Sequence, residues 1–257
     1  MLERVPAVVL AGARAEPEMA SRYSVEYRSD IVLAGRTMLE HVVDALSASP
    51  VVGEIYVVGH TAPAGVRVIP PRENLIENLI AGFEAIPSDC HVLVVTSDIP
   101  MLTAEAVTGF VRQCGDLDVD FFYSIVPKML CKEKFPGMHR TYVRLAEGEF
   151  TGGNAFIMRH SFVTQNAETL QAALRFRKQP LKLAMLIGLG TLLRALIAQK
   201  IWAGAITINQ VERAAGRVLK CRVKAVPVPY PELGADVDSV EHAESIEKML
   251  GSRGPDC

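Results

Sequence analysis

Cysteine is sparse and scattered: five residues (Cys90, Cys114, Cys131, Cys221 and Cys257), none of them in a CxxC pair. That spacing argues against a disulfide framework or a zinc site and implies a reducing compartment, so a cytoplasmic protein is expected. Charge of one sign is also lacking. Lys and Arg number 27 against 29 Asp and Glu, a formal net charge of −2, so no global field draws the chain to nucleic acid or anionic lipid. Met1 to Leu10 holds no signal-peptide h-region. The most apolar stretch, Leu181 to Trp202, is broken by Lys182, Arg194 and Lys200. Its uninterrupted part, Leu183 to Leu193, falls short of the ~20 residues a membrane span requires. It reads as a buried core helix rather than a membrane insertion, with an interfacial or dimer-forming helix as the alternative, and the oligomeric state stays open. The six histidines form no HxxH or HExxH pattern, and no GxSxG is present. Zinc-protease and serine-hydrolase chemistry are therefore set aside. His41 and His242 fall on predicted helices and read as surface residues.

What is present is alternation. Apolar runs at Val5–Leu10, Glu54–Gly59 and up to Asp98 predict buried strands. Helical spacing is found at Thr37–Ser47, Asn74–Ile86 and in TAEAVTGFVRQC after Thr103. Strand and helix in turn are the pattern of a parallel, doubly wound sheet. The second half predicts strands at Val119–Val126, Arg140–Leu145, Ala155–Met158 and Val223–Val228. Its predicted helices lie within Ser161–Gln199 and at Asn209–Gly216 and Val240–Leu250.

Four stretches carry candidate chemistry. In HVLVVTSDIPML (His91–Leu102) the strand should end near Asp98, because Pro100 cannot donate to a ladder. A carboxylate then stands at the carboxyl edge of a central strand, where open α/β sheets bind ligands. The connection from Ala11 to Arg36 is long and contains Gly12, Arg14, Arg22, Arg28, Gly35 and Arg36. It suits a phosphate cradle or, equally, a solvated loop. Phe150–Asn154, FTGGN, reads as a tight turn between two strands, or as a close backbone approach to a ligand with Asn154 as donor and acceptor. Asp236 and Asp238 precede the last helix, which Ser239 or Asp238 would cap. With Asp98 across a cleft, these carboxylates could instead hold a hard cation.

The order LAG, basic loop, AGRTMLEHVVDAL, ENLIAGFEAI, VVTSDIP, RTYVRLAEGEFTGGN, ADVDSVEHAESI resembles the MobA-like nucleotidyltransferases from Val5 to about Leu250. It is closest to an uncharacterised branch with the RTYV…FTGGN and RK-x-P-x-K-L-A segments, the latter here at Arg177–Ala184. The resemblance implies an α/β fold, a three-layer α/β/α sandwich with a mostly parallel, mixed central sheet. It implies a single domain over 1–257, with a nucleotide-binding half (1–118) and an acceptor-binding half with the C-terminal helix (119–257). Leu10, Ala11, Gly12, Ala13 and Arg14 would form the nucleotide loop, and Arg28 would stand where the family has a phosphate-reaching lysine. Asp98 and Asp238, with Asp236 beside them, would hold Mg²⁺ or Mn²⁺. Asn154, Gly153 and Arg140 would lie on the acceptor side. The partners implied are an NTP and a small-molecule phosphate acceptor. The chain departs from the family at Ala13, where the second glycine of LAGG is expected, and at Arg28. An alanine Cβ would obstruct a left-handed backbone or a close phosphate contact. The alternative is therefore a catalytically degenerate nucleotide- or sugar-phosphate-binding protein of the same fold.

Overall fold

Strand β1 (Val5–Leu10) is buried almost throughout and hydrogen-bonds in parallel to β4 (Val52–Val58) on one side and β6 (His91–Thr96) on the other. The computed structural model of the chain describes residues 4–115, 118–176 and 206–252. The apolar Leu181–Trp202 stretch, the Arg177–Ala184 segment and the last five residues of the tail lie outside them. The remaining strands are β2 (Val32–Leu33), β3 (Arg36–Thr37), β5 (Arg67–Ile69), β7 (Phe121–Pro127), β8 (Val143–Leu145), β9 (Gly148–Arg159) and β10 (Val223–Pro227). The main sheet runs β10-β7-β9-β6-β1-β4-β5, with β8 paired to β9. Its other neighbours are parallel, whereas β9 runs antiparallel to β6, β7 and β8. The mixed, mostly parallel sheet is thus as expected.

Alternation along β1 divides the core into two layers. Val5, Ala7 and Val9 pack with residues of α2 (Met38–Ser47) and α4 (Ala104–Gln113). Val8 and Leu10 pack on the opposite face with α3 (Leu75–Glu84), α5 (His160–Gln165) and α6 (Ala167–Phe176). Helices α2, α3 and α4, in the first half of the chain, start on side-chain caps. Thr37 closes a capping box with Glu40, Asn74 accepts from the Ile76 and Glu77 amides, and Thr103 accepts from Ala106. Among the described residues no helix is long and apolar enough to cross a membrane.

Two sequence expectations need correction. The Ala11–Arg36 connection is not a bare loop. It contains α1 (Pro17–Tyr23), a 3-10 turn at Arg28–Asp30 and the β2–β3 hairpin. Helix α1 buries only Met19, so no apolar period marks it in the sequence. FTGGN is not a turn between strands either, because it lies inside β9. Tyr123 pairs with Phe156 and Ile125 with Gly152, so Ser124 alone faces residues 153–155. This is a bulge, a device that re-aims side chains beside sites. Both glycines are needed there: a Cβ would lie 2.1 Å from the Tyr123 hydroxyl at Gly152 and 2.1 Å from Ser124 Oγ at Gly153.

The capping box supplies a direct check. Thr37→Ala is expected to lower unfolding stability by about 1 kcal/mol in urea titration, since the Glu40 amide loses its acceptor.

Candidate active site

The carboxyl edge of the sheet gathers Asp98, Arg28, Asp236, Arg140 and Asn154. Strand β6 ends at Thr96 and the chain turns at once, leaving the Asp98 side chain only 16% exposed. Its Oδ1 accepts from the Thr96 hydroxyl at 2.5 Å and its Oδ2 from Arg28 Nη1 at 2.9 Å. The other Arg28 terminal nitrogen reaches Glu16, so the guanidinium bridges two carboxylates. Burial pushes the Asp98 carboxyl above its ordinary range. The Thr96 hydrogen bond opposes this, the Asp236 charge adds to it, and Arg28 pulls it back. Burial works against the Arg28 charge, but Asp98 and then Glu16 more than restore it, holding the guanidinium firmly ionised.

The second acidic segment is fixed to the first by backbone: Val237 N–H donates to the Asp98 carbonyl at 2.8 Å. Ala235 and Val237 are buried in an apolar cluster with Met19, Met38, Met101 and Ile246, which leaves Asp236 between them to face the site. Arg140 Nη1 holds Asp236 Oδ1 at 2.6 Å. The Tyr123 phenol sits close enough to feel both. Burial raises its pKa, Arg140 lowers it and Asp236 raises it further. Asn154 reaches the Leu233 carbonyl at 3.5 Å. Asp238 is placed differently. Its Oδ1 lies 2.7 Å from His242 Nδ1 and its side chain is 54% exposed, while the cap on the last helix, Val240–Ser252, is Ser239. His242 is buried, not a surface residue as the sequence suggested.

Next to this cluster lies a cavity of about 490 Å³. Leu10, Gly12, Ala13 and Arg14 form one wall, and the segment Pro71–Leu75 with Asn78 forms another. Tyr27 and His60 also line it, their rings 3.9 Å apart. Ala11 is buried behind the wall and bonds to β4 through Val58. Among the described residues no protein acceptor meets the Gly12, Ala13 and Arg14 amides, whereas Ala15 N–H pairs with the Glu26 carbonyl and Arg28 N–H with the Ala13 carbonyl at 3.0 Å. The backbone at Ala13 has no positive φ, so its Cβ costs nothing in conformation. Gly12 is the position that must stay small, since a Cβ there would lie 2.8 Å from both Asn78 Nδ2 and Pro71 Cβ. Arg14 points outward to Glu26 at 2.5 Å, and Arg36 pairs with Asp44, so neither joins Arg28 at Asp98. A larger hollow of about 710 Å³, along Gln210–Arg217 and Cys221–Val223, shares none of these residues.

A family model for the MobA-like NTP transferase domain matches residues 7–130. A hypothetical transferase structure from Thermus thermophilus is 36% identical, with a TM-score of 0.83 over 93% of this chain and 99% of that one. The chain belongs to the MobA-like NTP transferase family. Fold alone is shared with CMP:2-keto-3-deoxy-manno-octonic acid synthetase complexed with CTP (13% identity, TM-score 0.57, 97% of this chain and 99% of that one). The same holds for 4-diphosphocytidyl-2C-methyl-D-erythritol synthase from Anaerococcus prevotii (11% identity, TM-score 0.58, 96% of each chain). No curated protein matches the chain.

For this MobA-like chain the donor set suits a hard cation only in part. No ready-made group of three metal-binding side chains exists among the described residues. Two mutually repelling carboxylates, Asp98 and Asp236, do share the edge. That fits Mg²⁺, which is usually bound by one or two carboxylates plus substrate phosphates rather than by a protein cage. Sequence reasoning missed Glu16, Thr96, Tyr27, His60 and Asn78. Only Thr96 had a signal, as a hydroxyl two residues before the carboxylate.

Burial of Asp98 has a pH signature. Its folded pKa lies above the unfolded value of about 4. Its contribution to stability is therefore full below that pH and is lost as pH rises through the folded pKa. Asp98→Asn is expected to raise the thermal midpoint at pH 7, with the gain closing as the pH drops below about 4. A variant less stable than the parent at pH 7 would show that the Arg28 and Thr96 contacts outweigh burial.

Proposed function

We propose that the chain transfers a nucleoside monophosphate from an NTP to a phosphorylated small-molecule acceptor and releases pyrophosphate. One observation carries this reading. Arg28 ties the loop lining the cavity, through its amide on the Ala13 carbonyl, to the buried Asp98 carboxylate, through its guanidinium. A nucleotide with its base in the cavity would extend its phosphates past the amides of Gly12 and Ala13 toward this pair. The carboxylates that hold Arg28 would give way to phosphate oxygens, for which a guanidinium fork is well shaped. A Mg²⁺ or Mn²⁺ ion on Asp98, with Asp236 or Asp238, would neutralise triphosphate charge.

The acceptor would lie on the far side of Asp98, against Arg140, Asn154 and Gly153. Arg140 offers a cation already positioned by Asp236 for an anionic group. An acceptor phosphate oxygen forms a new bond to the α-phosphorus while the bond from that phosphorus to the bridging oxygen of the β-phosphate breaks. Pyrophosphate leaves with the electron pair. No side chain must take a proton, because a phosphate acceptor is already ionised at neutral pH. Catalysis is then positioning and charge neutralisation.

Calorimetry with the four NTPs and Mg²⁺, followed by a pyrophosphate-release screen over phosphorylated acceptors, tests the reading. Asp98→Asn is expected to abolish Mg²⁺-dependent release, and Arg28→Ala to lower it by at least about 100-fold. Full activity of Asp98→Asn would overturn the metal assignment. Tight nucleotide binding with no turnover on any acceptor would favour the degenerate binding protein instead.

A further inference from the structure

Asn78 is a buried polar residue on α3, 5% exposed, and it lines the cavity beside Gly12. Its amide is held in one orientation. Oδ1 accepts from the Arg72 backbone N–H at 2.5 Å. A peptide N–H can only donate, so the oxygen must lie on that side and the NH₂ on the other. Nδ2 therefore faces Gly12, where a Cβ would come within 2.8 Å of it. Among the described residues Nδ2 meets no protein acceptor. The opposite wall offers the Gly12 and Ala13 amides, which are also donors.

We infer that Asn78 is a specificity-determining residue, whose fixed Nδ2 donor selects a nucleobase bearing a carbonyl oxygen (cytosine, uracil or guanine) over adenine. This inference rests on the nucleotide-binding reading above. A carbonyl oxygen has two lone pairs and accepts over a broad range of directions. Adenine has no carbonyl. Each of its acceptor ring nitrogens has a single in-plane lone pair, and the bidentate pairing by which an asparagine reads adenine N6 and N7 needs Oδ1, which the Arg72 N–H already engages. Asn78 cannot adapt by flipping, because that would turn its NH₂ against the Arg72 N–H.

The test is calorimetry on the full chain with Mg²⁺ and five probes: CTP, UTP, GTP, ATP and inorganic tripolyphosphate. At least one of the first three is expected to bind about tenfold or more tighter than ATP. Asn78→Asp keeps an oxygen for the Arg72 N–H and replaces the donor with an acceptor. It is expected to shift the ratio between the preferred nucleotide and ATP by about tenfold toward ATP. Tripolyphosphate reports the charge effect common to all probes. ATP binding as tightly as the other three in the wild-type chain would overturn the inference, and that ranking needs no variant to fold. So would an unchanged ratio in Asn78→Asp. Either result leaves nucleotide binding standing. A wild-type chain that binds none of the four overturns the nucleotide-binding reading and this inference together.

Discussion

A carboxylate kept from water at the end of a central strand is the constraint around which this edge of the molecule is organised. Such a group persists only if its oxygens are answered by donors. Thr96 and Arg28 answer those of Asp98. Arg28 can do so only because the connection after β1 folds back on itself, through α1 and the Ala13–Arg28 backbone pairing, rather than looping into solvent. Val237, in turn, is anchored on the Asp98 carbonyl, and this brings the C-terminal acidic segment to the same place. The small apolar cluster of Met19, Met101, Ala235 and Val237 beneath these residues is what makes that docking stable. Burial thus works against the charge of Asp98 at the place where the proposed chemistry would need that charge, a conflict common at functional sites.

Much of the scaffold could be read from residues alone because its signals are local. Val5–Leu10 and the run before Thr96 are buried on both faces, and the Thr37, Asn74 and Thr103 caps announce their helices. Elements whose identity is set by distant partners could not be read this way. The strand β9 extends back through Gly152 and Gly153 because Tyr123 and Ser124 lie opposite them, and no feature of FTGGN itself distinguishes a bulge from a turn. Short α1 and edge strand β5 bury too little to leave a pattern.

The site divides along the same line. The identities of Asp98, Arg28, Asp236, Arg140 and Asn154 are visible in ordered motifs, but their pairing is not. Arg28 lies 70 residues from Asp98, and Arg140 lies 96 residues before its partner Asp236. Asp238 and Arg14 show the converse. Both stand in the motifs, yet one meets a buried histidine and the other a surface glutamate. The substitution at Ala13 also looks graver in one dimension than in three, because the backbone there is not left-handed.

The antiparallel course of β9 has a metric consequence. Val95 pairs with Ala155, so Thr96, two residues before Asp98, and Asn154 are each the next residue along paired strands. The spacing between the carboxylate side and the Asn154 side is therefore gauged by a ladder of peptide hydrogen bonds rather than by adjustable side chains. A ladder can change that distance only in whole-residue steps, and one step would turn Asn154 to the opposite face of the sheet. The two sides of the edge are thus held at a discrete separation, as teeth on a single rack.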